Sequence, residues 1–123
     1  MNALTIELSW PVPELSPNKR LHHMALHRFK KAAREEGFWA TRQAIGNAKF
    51  HHDGTSDVLL RQVAHPPANY RYDRDGIDAR LKAHRDGIAD ALGVNDRFFR
   101  PTGIEWGEPI SGGRVVITIG GDV

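Results

Sequence analysis

Four carboxylates and a lysine crowd one short stretch of this chain: Asp73, Asp75, Asp78, Lys82 and Asp86, with Asn95 and Asp96 following. Asp73 and Asp75 are separated by Arg74 alone, and two carboxylates that close repel unless a cation or basic groups screen them. Mg²⁺ suits such a pair, because it is a hard ion that takes one or two carboxylates and keeps waters for reaction. A plainer reading stands beside this one. Asp78 and Lys82, like Lys82 and Asp86, are spaced i,i+4, which supports an ordinary solvated helix face. The Asp-x-Asp pattern alone does not choose between the two.

Several elements must position these groups. From Ile77 the apolar positions recur as Ile77, Leu81, Ile88 and Leu92, with His84 between them, which predicts one amphipathic helix closed by Gly93. On its wheel Asp75, Lys82 and Asp86 fall opposite the apolar stripe, with Asp78 at the margin. Val58 to Val63 reads as a strand ended by His65-Pro66-Pro67, so a strand end delivers the chain into the acidic helix start. Leu4, Ile6, Leu8 and Trp10 alternate with polar residues as a half-buried strand that Pro11 and Pro13 terminate. Ile104 to Ile110 and Arg114 to Ile119 read as two antiparallel strands joined by Ser111-Gly112-Gly113, and Val94-Asn95-Asp96 as a return to extended chain. The expected order is β-α-β-α-β-β, an α/β (α+β) single domain over 1–123 with a mixed four-stranded sheet and two main helices.

Charge is polarised along the chain. After Glu14 no acidic residue appears until Glu35, and Lys19, Arg20, Arg28, Lys30, Lys31 and Arg34 stand between them with His22, His23 and His27. Overall the 17 Lys and Arg barely exceed the 15 Asp and Glu, so the distribution says more than the total. A solubilising face would explain such a run, but its separation from the acidic cluster favours a phosphate backbone as partner. Arg71 and Arg74 add positive charge around Asp73. Most of the basic run lies on a predicted helix from about Met24 to Ala48, with Phe29, Ala32, Ala33, Phe38, Trp39 and Ala40 as burial candidates. Gly37 weakens this helix by about 1 kcal/mol. His23 and His27 share a helix face but have no third ligand at a zinc-like spacing, so zinc is not expected.

At 123 residues the chain has room for one real core. It contains no cysteine, which removes disulfides and thiolate metal sites. No run approaches the roughly 18 apolar residues of a membrane span, and the N-terminus lacks a basic segment followed by an apolar run. A soluble cytoplasmic protein with no membrane partner is the expectation.

Read together, these segments resemble the RusA-type crossover-junction endodeoxyribonucleases, phage-borne resolvases of Holliday junctions. The likeness rests on Trp10-Pro11, on Leu15-Ser16-Pro17-Asn18-Lys19-Arg20 before a basic helix, and on the strand ending near Pro66. It continues through Asp73-Arg74-Asp75, Lys82, Asp86 and Gly93-Val94-Asn95-Asp96, in the family's order. The resemblance implies a homodimer that binds four-way junctions and hydrolyses phosphodiester bonds in recombination and repair with Mg²⁺, for which Mn²⁺ can substitute. It further implies that Asp73, Asp75 and Asp96 hold the metal and that Lys82 assists catalysis, while the charge distribution assigns DNA contact to Lys19, Arg20, Arg28, Lys30, Lys31, Arg34, Arg71 and Arg74. Gly76 stands where the family commonly has Asn, and Asn95 where it has a further Asp. These departures open an alternative, a junction-binding protein on the same fold with weak or no catalysis.

Overall fold

The computed structural model describes residues 3–17, 19–69 and 72–120. In chain order the elements are β1 (Leu4–Leu8), α1 (His23–Ile45), β2 (Val58–His65), α2 (Arg74–Arg80), α3 (Lys82–Leu92), β3 (Phe99–Trp106) and β4 (Arg114–Ile119). Single 3-10 turns at Pro13–Leu15 and Asp96–Phe98 join them. The four strands form one mixed sheet in the order β1-β4-β2-β3, with β3 parallel to β2 and the other pairings antiparallel.

Period-two alternation turns one row of each strand toward the helices: Ile6 and Leu8, Leu60 and Ala64, Ile104, and Val115, Ile117 and Ile119 are all buried. The expected stripe of Ile77, Leu81, Ile88 and Leu92 meets them, and His84 is buried with it. Burying apolar surface of this kind on both layers is what holds a two-layer domain together.

Three expectations are corrected. The predicted hairpin between the last two strands does not form, because β4 lies between β1 and β2 and β3 pairs in parallel on the far side of β2. The third strand also begins at Phe99 rather than Ile104. Pro101 lies within this strand, and proline is tolerated there because β3 is an edge strand. Lastly, the acidic helix is two helices. Leu81 (φ −89°, ψ −3°) separates α2 from α3, and its N–H donates to Asp78 O at 3.0 Å, one residue short of the helical partner. The Arg85 guanidinium also reaches Asp78 O, at 3.4 Å.

α1 ends at Ile45, capped by Gly46 at φ 62°, three residues before the expected Ala48. Among its burial candidates Ala33 is buried, whereas Ala32 is exposed and Trp39 is 66% exposed. The buried face instead includes Gly37 and Thr41. Gly37 is no defect, for a β-carbon there would fall 2.1 Å from His84 O, and one on Gly87 would fall 1.9 Å from Arg34 O. The two glycines let the backbones of α1 and α3 touch. Beside them His84 Nε2 lies 3.1 Å from Glu36 Oε1, and Glu36 Oε2 accepts from Ser9 N at 2.8 Å and Ser9 Oγ at 2.7 Å. The Nε2–H tautomer suits this setting: it donates to Glu36 and leaves at the enclosed Nδ1 a lone pair rather than an unmet N–H.

Two outcomes are expected. Gly87→Ala must push α3 off α1 and should lower unfolding free energy by about 1–3 kcal/mol, measured by urea titration against an Ala91→Ser control. The hydrogen bond from His84, helped by those from Ser9, holds Glu36 down at about 2 from an ordinary 4.5. A depressed carboxylate stabilises the fold above its unfolded pKa and loses that contribution as pH falls through the folded one. The melting temperature should therefore drop between about pH 4.5 and 2, and Glu36→Gln should flatten that limb of the profile.

Candidate active site

The break at Leu81 makes Lys82 the first residue of α3 and turns it toward the loop that follows the helix. Its Nζ donates to Asp86 Oδ1 at 2.6 Å, one turn along, and lies 3.5 Å from Asp96 Oδ2. Hydrogen bonding to Asp86 raises the Lys82 pKa, with smaller support from the charge of Asp96. Asp96 is brought here by the cap that ends α3. Gly93 takes a left-handed conformation (φ 71°), and its N–H and that of Val94 close on Ala89 O. Asn95 Oδ1 then accepts from Arg97 N at 2.9 Å, opening the turn in which Asp96 stands.

Three cavities meet at this cluster. One of about 440 Å³ lies between the Leu15–Lys19 segment, α1 and the α2/α3 break; its lining includes Lys82 and Asp86. A second of about 270 Å³ runs past Lys82, Asp86 and Asp96 to Phe99 and Pro101. The third, of about 280 Å³, includes Arg34, Asp86, Asp90 and Asp96. Asp86 lines all three.

Beneath the exposed lysine is a buried network. Gln62, fully enclosed in β2, donates through Nε2 to Asp78 Oδ1 at 2.8 Å and to Thr102 O at 2.7 Å. Its Oε1 accepts from Arg85 at 2.7 Å, and Arg85 also contacts Asp78 Oδ1 at 3.2 Å. Burial lowers the Arg85 pKa, opposed by the charges of Asp78 and Asp86; an arginine nonetheless keeps its charge. Thr102 sits in the irregularity of β3 that shifts register between Leu60 and Gln62, and its hydroxyl accepts from Gln62 N at 3.2 Å. One glutamine thus ties β2, the β3 bulge and both short helices together.

The sequence-derived candidates are distributed as follows. Lys82 and Asp96 are together. Asp73 caps α2, its Oδ2 accepting from Gly76 N at 3.1 Å, and Asp75 is exposed in the first turn of that helix. A β-carbon on Gly76 would lie 3.1 Å from the same Asp73 oxygen, so glycine lets this cap close tightly. Among the described residues no group of three His, Asp or Glu side chains is arranged to hold a metal ion. The donors that fit a hard cation by chemistry are Asp86 and Asp96, two carboxylates that already share one positive charge. Asp78, expected at i,i+4 to Lys82, turns to Arg85 instead. Lys19 and Lys30 line the largest cavity. Arg20, Arg28, Lys31 and Arg74 are exposed. Arg34 is held in a two-pronged pair with Asp90 at 2.6 and 2.9 Å, and Arg71 lies outside the described residues. Gln62 and Arg85, which support the site, were not anticipated. A polar residue in the inward row Val58, Leu60, Gln62, Ala64 was the available signal.

No protein-family model matches the sequence. An "Uncharacterized protein" of Xylella fastidiosa (strain Temecula1 / ATCC 700964) is 38% identical over 122 residues, which covers 98% of this chain and 77% of that protein. The two belong to one family. The alignment takes in nearly the whole chain, so the relationship extends over the sheet, the helices and the Lys82 cluster alike. Among the described residues no helix is long and apolar enough to cross a membrane.

Arg85→Met would strand Gln62 Oε1 and remove the cation facing Asp78. With Arg85 11% and Asp78 39% exposed at the side chain, the expected loss is about 1–3 kcal/mol, read by chemical denaturation. An Arg85→Lys variant should recover only part of it, since one ammonium cannot reproduce the guanidinium fork.

Proposed function

We propose that this protein is a Mg²⁺-dependent, structure-selective endodeoxyribonuclease of RusA type that acts in the cytoplasm as a homodimer and resolves four-way DNA junctions. The observation that carries the reading is the placement of Lys82 between Asp86 and Asp96 where three cavities meet, beside a helix whose Arg28, Lys30 and Lys31 have no carboxylate partner among the described residues. Such a groove suits a polyanionic strand, and a cation there can offset the charge that develops on a phosphoryl group during hydrolysis.

In this reading Asp86 and Asp96 are the groups that would hold Mg²⁺, while Asp73 is taken up in capping α2 and Asp75 stands exposed in its first turn. The bound metal would polarise a phosphoryl oxygen and acidify water. The chain's own contribution is positional. Lys82 exchanges a carboxylate partner for a phosphate oxygen and offsets the negative charge that develops there. The Gln62, Asp78 and Arg85 network fixes the turn that aims Lys82, and Lys30 and Lys31 neutralise neighbouring phosphates.

A second reading, a junction-binding protein without catalysis, draws on two side chains spent on capping: Asn95 Oδ1 on Arg97 N and Asp73 Oδ2 on Gly76 N. One experiment separates the two. Purified protein is incubated with a synthetic four-way junction and a matching duplex, with Mg²⁺ and with chelator, beside Asp96→Asn and Lys82→Met. The nuclease reading expects metal-dependent paired nicks in the junction only, reduced by about 10²-fold or more in each variant, with junction binding retained. Binding without nicks at any Mg²⁺ or Mn²⁺ concentration would support the second reading, and cleavage undiminished in both variants would remove the Lys82 cluster from the mechanism.

A further inference from the structure

The largest of the three cavities at the cluster has a composition that the hydrolytic reading does not use. Its floor is apolar, from Leu15 and Leu26 across to Ala79 and Ala83, and its rim carries Lys19 and Lys30. Neither lysine has a carboxylate within ion-pair distance among the described residues. Arg80 also lines it; one guanidinium nitrogen donates to Pro11 O at 3.2 Å, while its enclosed Nε has no acceptor among the described residues. Asp86, the one acid on the wall among the described residues, is neutralised by Lys82.

An apolar slot rimmed by uncompensated cations matches a flat, uncharged ring system carried on a chain of phosphates. Its volume of about 440 Å³ falls within the range of small-ligand sites, roughly 300–1,000 Å³. Because it shares Lys82 and Asp86 with the candidate active site, its occupant must be continuous with the strand bound there.

We infer that this cavity receives one unstacked nucleotide of the branched DNA, its base against Leu15, Leu26, Ala79 and Ala83 and its flanking phosphates on Lys19 and Lys30. The inference rests on the junction reading above and adds how the protein would recognise a branch. Without divalent cation the arms of a four-way junction are not stacked on one another, so drawing a base out costs least at the crossover, whereas uniform duplex must give up full stacking on both sides. The slot therefore selects structure without reading sequence.

The test uses four-way junctions carrying 2-aminopurine at each crossover nucleotide in turn, bound in chelator so that no strand is cut. Binding should raise fluorescence severalfold for at least one crossover position and leave the same label in linear duplex unchanged. Ala83→Phe, which fills the slot, should abolish the rise. The exposed pair Lys19→Gln/Lys30→Gln, which alters no buried contact, should diminish it and flatten the slope of log affinity against log salt by about 1.8. Junction binding with no rise at any crossover, or a rise that survives in a folded Ala83→Phe protein, would overturn the inference and leave the nuclease reading standing. If Ala83→Phe does not fold, an undiminished rise in the lysine pair overturns it equally. A protein that binds no four-way junction at all would overturn both.

Discussion

Backbone contact between α1 and α3 is the constraint on which the rest of this structure depends. Side chains normally keep helix axes 8–10 Å apart or so, but at Gly37 and Gly87 there is no side chain to do this, and each glycine faces a carbonyl of the other helix. The close crossing fixes α3 along its length. It brings His84 under Glu36, and Glu36 in turn under Ser9 just past the end of β1. A helix clasped at that depth has little freedom to slide, so the residues at its N-terminus inherit a fixed position.

What they inherit is graded in polarity. The core side of α3 is apolar, the layer around Gln62, Asp78 and Arg85 is polar and largely satisfied, and Lys82, Asp86 and Asp96 lie outermost, in contact with the cavities. This order follows from the cost of burial. A charge far from water must be paired and hydrogen-bonded, as Arg85 is, whereas a charge at the surface can exchange its partners. Lys82 has such partners in two carboxylates on a side chain 64% exposed. The helix break at Leu81 is the device that separates the layers, because Asp78 is turned inward to Arg85 while Lys82, four residues on, is turned out.

The same arrangement explains why the basic segment of α1 does not act as a unit. Arg34 is drawn to Asp90 and braces the two helices, a solvent-exposed pair of modest energetic value, while Lys30 one turn earlier stands at the largest cavity. Residues that look equivalent by charge divide between holding helices together and lining a cavity.

By itself the sequence determined the layers and the inventory of chemistry. The alternation in β1, β2 and β4 and the stripe from Ile77 to Leu92 named the core, because burial on a strand or helix repeats with the local period. The Gly93 cap, the polarised charge and the proximity of Lys82 to Asp86 were equally legible, being set within a few residues of backbone. Tertiary structure alone decided the rest. It placed β4 between β1 and β2, carried β3 through Pro101 as an edge strand, and turned Gly37 from a weak point into a contact. It also set Asp78 on Arg85 rather than Lys82 and brought Asp96 to Lys82 across fourteen residues. Those outcomes depend on which backbones meet and which buried polar groups find partners, and neither is encoded in the spacing of residues along one element.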